Sequence, residues 1–201
     1  SVHLMTDEEV KLSAGGSAAS VLWKQRLWGT LYKKSPDFAA NQLTYYAVVL
    51  CGIAAHLPLA IISSNSEQVM DLARESLVFS SSQDESAHSM IDLMGGNKRG
   101  FVICIQNSLL TMEKVLGLDM TFEHSFVNFI IPVLLKISKN SDVTRIRGLA
   151  LNCLLSICLT TRHTANTLLK KEVVKGLKPI LDDRKRSIRK LATDIIDACY
   201  M

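Results

Sequence analysis

No apolar stretch in this sequence approaches the ~20 residues that a bilayer-spanning helix needs. The longest, Ala47 to Ile62, is interrupted by His56 and Pro58, and it reads as one buried helix meeting the next. A basic, apolar, small-residue leader is missing too. The chain opens on Ser1 and reads as an internal or C-terminal piece of a longer protein. Five cysteines, Cys51, Cys104, Cys153, Cys158 and Cys199, form an odd set with no C-x-x-C pair. That excludes a disulfide framework and fits buried free thiols in a reducing compartment, cytosol or nucleus. Three of them, Cys51, Cys153 and Cys199, fall on apolar helix faces. The five histidines are scattered with no His-x-x-x-His pair, so a converging zinc or iron–sulfur ligand set is not expected and no cofactor is assigned. Gly-x-Ser-x-Gly, a phosphate-binding glycine loop and His-Glu-x-x-His are all absent. Gly95-Gly96-Asn97-Lys98-Arg99-Gly100 has no strong strand before it and reads as a loop. The expectation is a protein that is not an enzyme. Period-two alternation is also lacking, which leaves an all-α fold.

What is present is a repeat. Ile146, Leu149, Ala150, Cys153, Leu154 and Ile157 recur 42 residues later as Ile188, Leu191, Ala192, Ile195, Ile196 and Cys199. Steps of 0, 3, 4, 7, 8 and 11 place these side chains on one stripe of a helix. Leu43, Tyr46, Ala47, Leu50, Cys51 and Ala54 follow the same steps and count as a third copy. The two clear stripes each follow an apolar run with one proline, at Pro132 and at Pro179. Helix pairs recurring every ~40–47 residues are the mark of HEAT or armadillo solenoids. The chain therefore reads as an α-solenoid of about four to five helix-pair repeats, a single domain over 1–201. Its expected runs are Ala18–Lys33, Ser66–Phe79, Phe101–Leu116, Phe122–Lys136 with Asp142–Cys158, and Thr167–Leu181 with Arg184–Cys199. Ser80 to Gly100 is the irregular segment, and Ser13 to Ser17 breaks the pattern near the start. Ser80 to Ser89 reads as a connector or as a phosphorylation-prone loop.

The net charge of +4 is unevenly spread. From Arg162 to Lys190, ten Lys or Arg stand against Glu172, Asp182 and Asp183, a local net of +7 that leaves −3 for the remainder. Arg184, Lys185, Arg186 and Lys190 form a positive rim suited to carboxylates of a partner; the other reading is a solvated turn with Asp182 and Asp183 capping the next helix. Arg147 and Arg189 share the offset of 42, which suits braces between successive repeats. Trp23 and Trp28 are five apart and cannot share one stripe, so one is expected in the core and the other nearer the surface. Trp23 with Lys24 and Arg26 makes a candidate aromatic–basic contact patch. The alternative there is a core tryptophan flanked by solvated charges.

Two segments carry a family resemblance. Leu181-Asp-Asp-Arg-Lys-Arg186 feeding Ile188-Arg-Lys190 closely resembles the C-terminal repeat of the MMS nineteen family, and Leu22-Trp-Lys-Gln-Arg26 looks like its Leu-Trp-Lys-Gln-Arg stretch. The order Pro36, inner helix, His56-Leu57-Pro58, then an outer helix ending Ala73-Arg-Glu-Ser-Leu77 is similar too. The resemblance is collinear over roughly Leu22 to Ala192 and dense at its two ends. It implies a HEAT adaptor of the cytosolic iron–sulfur assembly targeting complex, acting in cytoplasm and nucleus and linked to the spindle. It further implies docking of a MIP-eighteen-type subunit and a WD-repeat propeller. Clients such as the XPD helicase and DNA polymerases would be recruited by the full-length protein, with links to DNA repair and to transcription. The competing expectation is a HEAT module that meets nucleic acid directly through its basic end. It is disfavoured because no groove-reading motif accompanies the charge.

Overall fold

Apolar stripes of this kind form helices that can only be buried against one another. The computed structural model describes residues 22, 26–30, 40–81, 98–118, 124–161 and 167–200, and among them every regular element is helical. Helix α1 spans Ala40–Ala54, α2 Leu59–Ser63, α3 Ser66–Ser81, α4 Lys98–Leu116, α5 His124–Asn140, α6 Thr144–Thr161, α7 Thr167–Leu177 and α8 Arg186–Tyr200; a 3-10 turn, Lys178–Asp182, joins the last two. The molecule is an all-helical α-solenoid. In one layer α1, α4, α6 and α8 follow one another in contact, and in the other α3, α5 and α7 do the same. Pairs α3/α4, α5/α6 and α7/α8 tie the layers together. Among the described residues there are thus three complete pairs plus α1.

Prolines set several boundaries. Pro58, extended at φ −60° and ψ 150°, stands at the start of α2, its carbonyl accepting from the Ile61 and Ile62 amides; proline also disfavours the helical region for Leu57 before it, which helps separate α2 from α1. Pro179 lacks an amide hydrogen and converts the expected single run Thr167–Leu181 into α7 plus the 3-10 turn. Pro132 lies inside α5 and is exposed, so the lost helical bond faces solvent. Helices α3 and α4 enter the two ends of the segment expected to be irregular, at Ser80–Ser81 and Lys98–Gly100, while 82–97 lies outside the described residues. The Ser13–Ser17 break and the hydroxyl-rich connector beyond Ser81 lie outside them as well.

The repeated stripes are the core. Ile146, Ala150, Cys153, Leu154 and Ile157 are buried, as are Ile188, Ala192, Ile195 and Cys199; in α1 the same register buries Ala47, Leu50, Cys51 and Ala54. Leu149, Leu191, Ile196 and Tyr46 sit at the edge of this core. One continuous cluster runs from Trp28 to Cys199. Trp28, 2% exposed, enters it; Trp23 lies outside the described residues. Helices α5 and α7 approach closely because residue 176 is glycine: a Cβ there would come 2.5 Å from Leu135 Cδ1.

Exposed apolar side chains such as Val49, Ile103 and Leu159 sit singly on different helices, as is ordinary for protein surfaces. Among the described residues no helix is long and apolar enough to cross a membrane. Truncating the stripe should be costly. Leu154→Ala is expected to lower unfolding free energy by about 2–5 kcal/mol, while exposed Leu159→Ala stays within about 0.5 kcal/mol. Urea midpoints at unchanged m-value check both.

Candidate partner-binding rim and repeat seam

The turn that presents the basic rim is built twice. Before α6, the Val143 amide donates to Ser141 Oγ at 3.2 Å, and the amides of Ile146 and Arg147 donate to the Val143 carbonyl. Before α8, the Lys185 amide donates to Asp183 Oδ1 at 2.7 Å, and the amides of Ile188 and Arg189 donate to the Lys185 carbonyl. Each contact moves by 42 residues. Asp183 therefore closes the turn ahead of α8 instead of capping the helix amides themselves, and Asp182 is exposed.

The two arginines share one posture. Arg147 donates from Nη1 to the Ser141 carbonyl at 2.9 Å, and Arg189 from Nη1 to the Asp183 carbonyl at 2.7 Å. Arg147 also reaches into the next repeat. Its Nη2 donates to Asp183 Oδ1 at 3.2 Å, and its Nε lies 2.9 Å from Asp183 Oδ2. Both side chains are mostly buried, 12% and 14% exposed. Arg147 thus holds two successive turns at once, whereas Arg189 holds its own. Burial pushes the Asp183 carboxyl upward, but the Lys185 amide, the Arg147 guanidinium and the charge of Arg189 together bring it below the ordinary carboxylate value.

This anchored turn displays the rim. Arg184, Lys185, Arg186 and Lys190 are all exposed, and none has an ion-pair partner among the described residues. Lys185 and Arg186 sit at the start of α8, which has no acidic residue in its first turn. Cations at the positive end of a helix dipole are disfavoured, so an anionic partner would relieve repulsion that the free protein bears. Arg26 is exposed and helical, with Thr30 Oγ1 donating to its carbonyl at 2.9 Å. Lys24, like Trp23, lies outside the described residues.

Polar contacts at the seams were not foreseen. Ser76 and Ser108 hydroxyls meet at 2.6 Å between α3 and α4, and Thr111 Oγ1 donates to the Cys51 carbonyl at 3.1 Å. Lys114 Nζ donates to the carbonyls of Ala55 at 2.8 Å and Leu57 at 2.9 Å, satisfying acceptors left open at the end of α1. Asn152 Nδ2 donates to Glu113 Oε1 at 3.1 Å. Single hydroxyls and one lysine within helical runs carry no spacing signal that would announce such pairings.

All five cysteines are buried free thiols. Burial pushes Cys51 up to about 12 and drives Cys153 higher still, so neither is a nucleophile. Cys158 and Cys199 face each other across α6 and α8 with sulfurs 3.8 Å apart. The Cys158 contact, aided by the nearby charge of Lys170, lowers the Cys199 thiol, while Cys158 is pushed up by sharing with Cys199 and by burial. Among the described residues no three His, Cys, Asp or Glu side chains converge as a metal site.

Comparison with known proteins places the chain in a family context. It is 21% identical over 206 aligned positions to the Dictyostelium discoideum protein named MMS19 nucleotide excision repair protein homolog, covering 98% of this chain and 17% of that protein. It is 24% identical over 191 positions to the Schizosaccharomyces pombe DNA repair/transcription protein mms19, covering 92% of this chain and again 17% of the relative. The chain therefore spans about a sixth of the length of these relatives. No family model matches, and no solved structure matches.

Two outcomes follow from the seam. A double-mutant cycle with Arg147→Ala and Asp183→Ala should return a coupling of about 1.5–3 kcal/mol, the range for hydrogen bonds to charged groups. Because the folded Asp183 value is depressed, its contribution is complete above the unfolded value of ~3.9 and is lost as pH falls through the folded one. Urea unfolding from pH 7 to pH 2 should show wild type and Asp183→Asn converging at the acid end. Separately, diamide takes up two thiol hydrogens as a disulfide forms. It should link Cys158 to Cys199 in the folded chain and leave Cys51 and Cys153 reduced. Peptide mass spectrometry without reductant reads the link, and Cys158→Ser should abolish it.

Proposed function

We infer that this chain, a member of the MMS19 family, serves as a protein-interaction scaffold of the cytosolic iron–sulfur assembly targeting complex. The relatives' names place them in DNA repair and transcription, and the role proposed here stands upstream of both. Clusters delivered through the complex would reach repair, replication and transcription enzymes, the XPD helicase among them, by way of the full-length protein. The chain itself holds partners together and performs no catalysis. It acts in cytoplasm and nucleus, and at the spindle.

The observation that carries this reading is the collinear similarity over more than nine-tenths of the chain. The architecture agrees with it. A stack of helix pairs leaves long faces free, and the anchored turn together with the start of α8 holds Arg184, Lys185, Arg186 and Lys190 out to solvent. That rim is the proposed edge for a MIP-eighteen-type subunit together with a WD-repeat propeller. Arginine there suits bidentate pairing with carboxylates.

Purified components test the proposal. At ~150 mM salt, where weak surface electrostatics are damped, the chain should retain the MIP-eighteen-type subunit and the propeller on affinity resin. The triple variant Lys185→Glu, Arg186→Glu, Lys190→Glu should lose them. Retention by the variant would keep the complex and discard the rim. Failure of the folded wild type to bind would overturn the reading, and steeply salt-dependent binding of a DNA duplex would replace it with the nucleic-acid alternative.

A further inference from the structure

The layer of α3, α5 and α7 holds a second charged feature, whose lining includes none of Arg184, Lys185, Arg186 and Lys190. Between α5 and α7 lies a groove of about 480 Å³. Its apolar lining comes from Leu135, Gly176 and Pro179, and its charged lining includes Lys136 and Lys139 on α5 and Lys175 on α7. Gly176 and Leu135 meet within this lining, where a Cβ on Gly176 would come 2.5 Å from Leu135 Cδ1. All three lysines are exposed, and so are Lys171 on α7 and Lys178 on the 3-10 turn. Glu172 is the one carboxylate among the lining residues. The groove therefore combines an aliphatic floor with a positive wall.

We propose that this groove is a docking site for an extended acidic peptide segment, its carboxylates set against Lys136, Lys139 and Lys175 and one apolar side chain seated on Leu135 and Pro179. The size suits a few residues of chain, since sites for small ligands run about 300–1,000 Å³. Lysine is a compact point charge on a flexible stem and suits separate carboxylates along a strand, whereas planar bidentate recognition calls for arginine. None of the groove residues is arginine or aromatic. Single-stranded nucleic acid binds on aromatic platforms, so the lining favours a peptide. The aliphatic floor supplies the anchor that charge alone lacks, because desolvated central contacts carry most of an interface's affinity. The groove shares no lining residue with the rim ahead of α8, and its failure would leave the scaffold reading untouched.

Fluorescence anisotropy on the whole chain tests it, with a labelled eight-residue peptide alternating Asp and Leu as probe. Saturable binding is expected, weakening on going from 50 to 300 mM salt. The double variant Lys139→Glu, Lys175→Glu should weaken it by at least about tenfold. Glu172→Gln, which removes the opposing carboxylate without touching the core, should tighten it about two- to threefold. The rim variant Lys185→Glu, Arg186→Glu, Lys190→Glu should leave it unchanged. An all-Asp peptide should bind more weakly, having no anchor for the floor. The proposal is overturned if the Asp–Leu peptide does not bind, or if the groove and rim variants weaken it equally. It is equally overturned if the all-Asp peptide binds as well. A labelled DNA duplex that binds and is lost in the same groove variant would make this a nucleic-acid surface instead.

Discussion

Neither helix of a pair in this chain can hide its own apolar stripe. The stripe Ile146, Ala150, Cys153, Leu154 and Ile157 is dry only because α4 and α5 lie on one side of α6 and α8 on the other. Every repeat is therefore stabilised by its neighbours, and the core is one continuous cluster from Trp28 to Cys199 rather than a set of separate ones. Such stacks owe their stability to intrinsic repeat terms plus nearest-neighbour interfaces. Everything else in the structure, including the exposed rim and the groove, rests on helices held in place this way.

Apolar burial alone is indifferent to register, since a helix slid by one turn buries a similar area. The polar contacts across the seams are directional, and they remove that freedom. Thr111 reaches back to the Cys51 carbonyl, Cys153 to the Leu109 carbonyl, and Arg147 forward to Asp183. Each joins one element of the stack to the next. A buried hydroxyl or guanidinium that lost its acceptor would bear the full desolvation penalty, so slippage is opposed at every seam.

The face of α8 that points away from α6 differs from the face α6 offers to α8. On α6, Gly148 lies against Ile188, whose Cδ1 is 3.8 Å from a Cβ built there, and Leu151 and Cys158 are buried. Moved on by 42 residues, the same register positions on α8 are Lys190, Thr193 and Tyr200, all exposed. This end of the described stack therefore carries Lys190 and Thr193 beside the exposed ring of Tyr200, and Lys190 belongs to the rim. Charges on such a surface favour partners through charge complementarity and steering, which fits the role proposed for it.

Much of this was legible in the residues themselves. Stripe positions, the 42-residue offset, the shared placement of Arg147 and Arg189 and the all-helical fold are local or periodic properties. A helix shows its buried face to anyone counting 3.6 residues per turn. The expected end of the last outer helix at Leu181 was too generous only because Pro179 diverts the chain into a 3-10 turn at Lys178. What tertiary structure decided are the pairings between repeats. Asp183 became the acceptor for Arg147, Lys114 the cap of α1, Cys158 the neighbour of Cys199, and α5 and α7 the two walls of one basic groove. Such partners lie 36 to 59 residues apart, and they meet because of how packed helices cross. That geometry is set by all the side chains at the seam together, and no short window of sequence contains it.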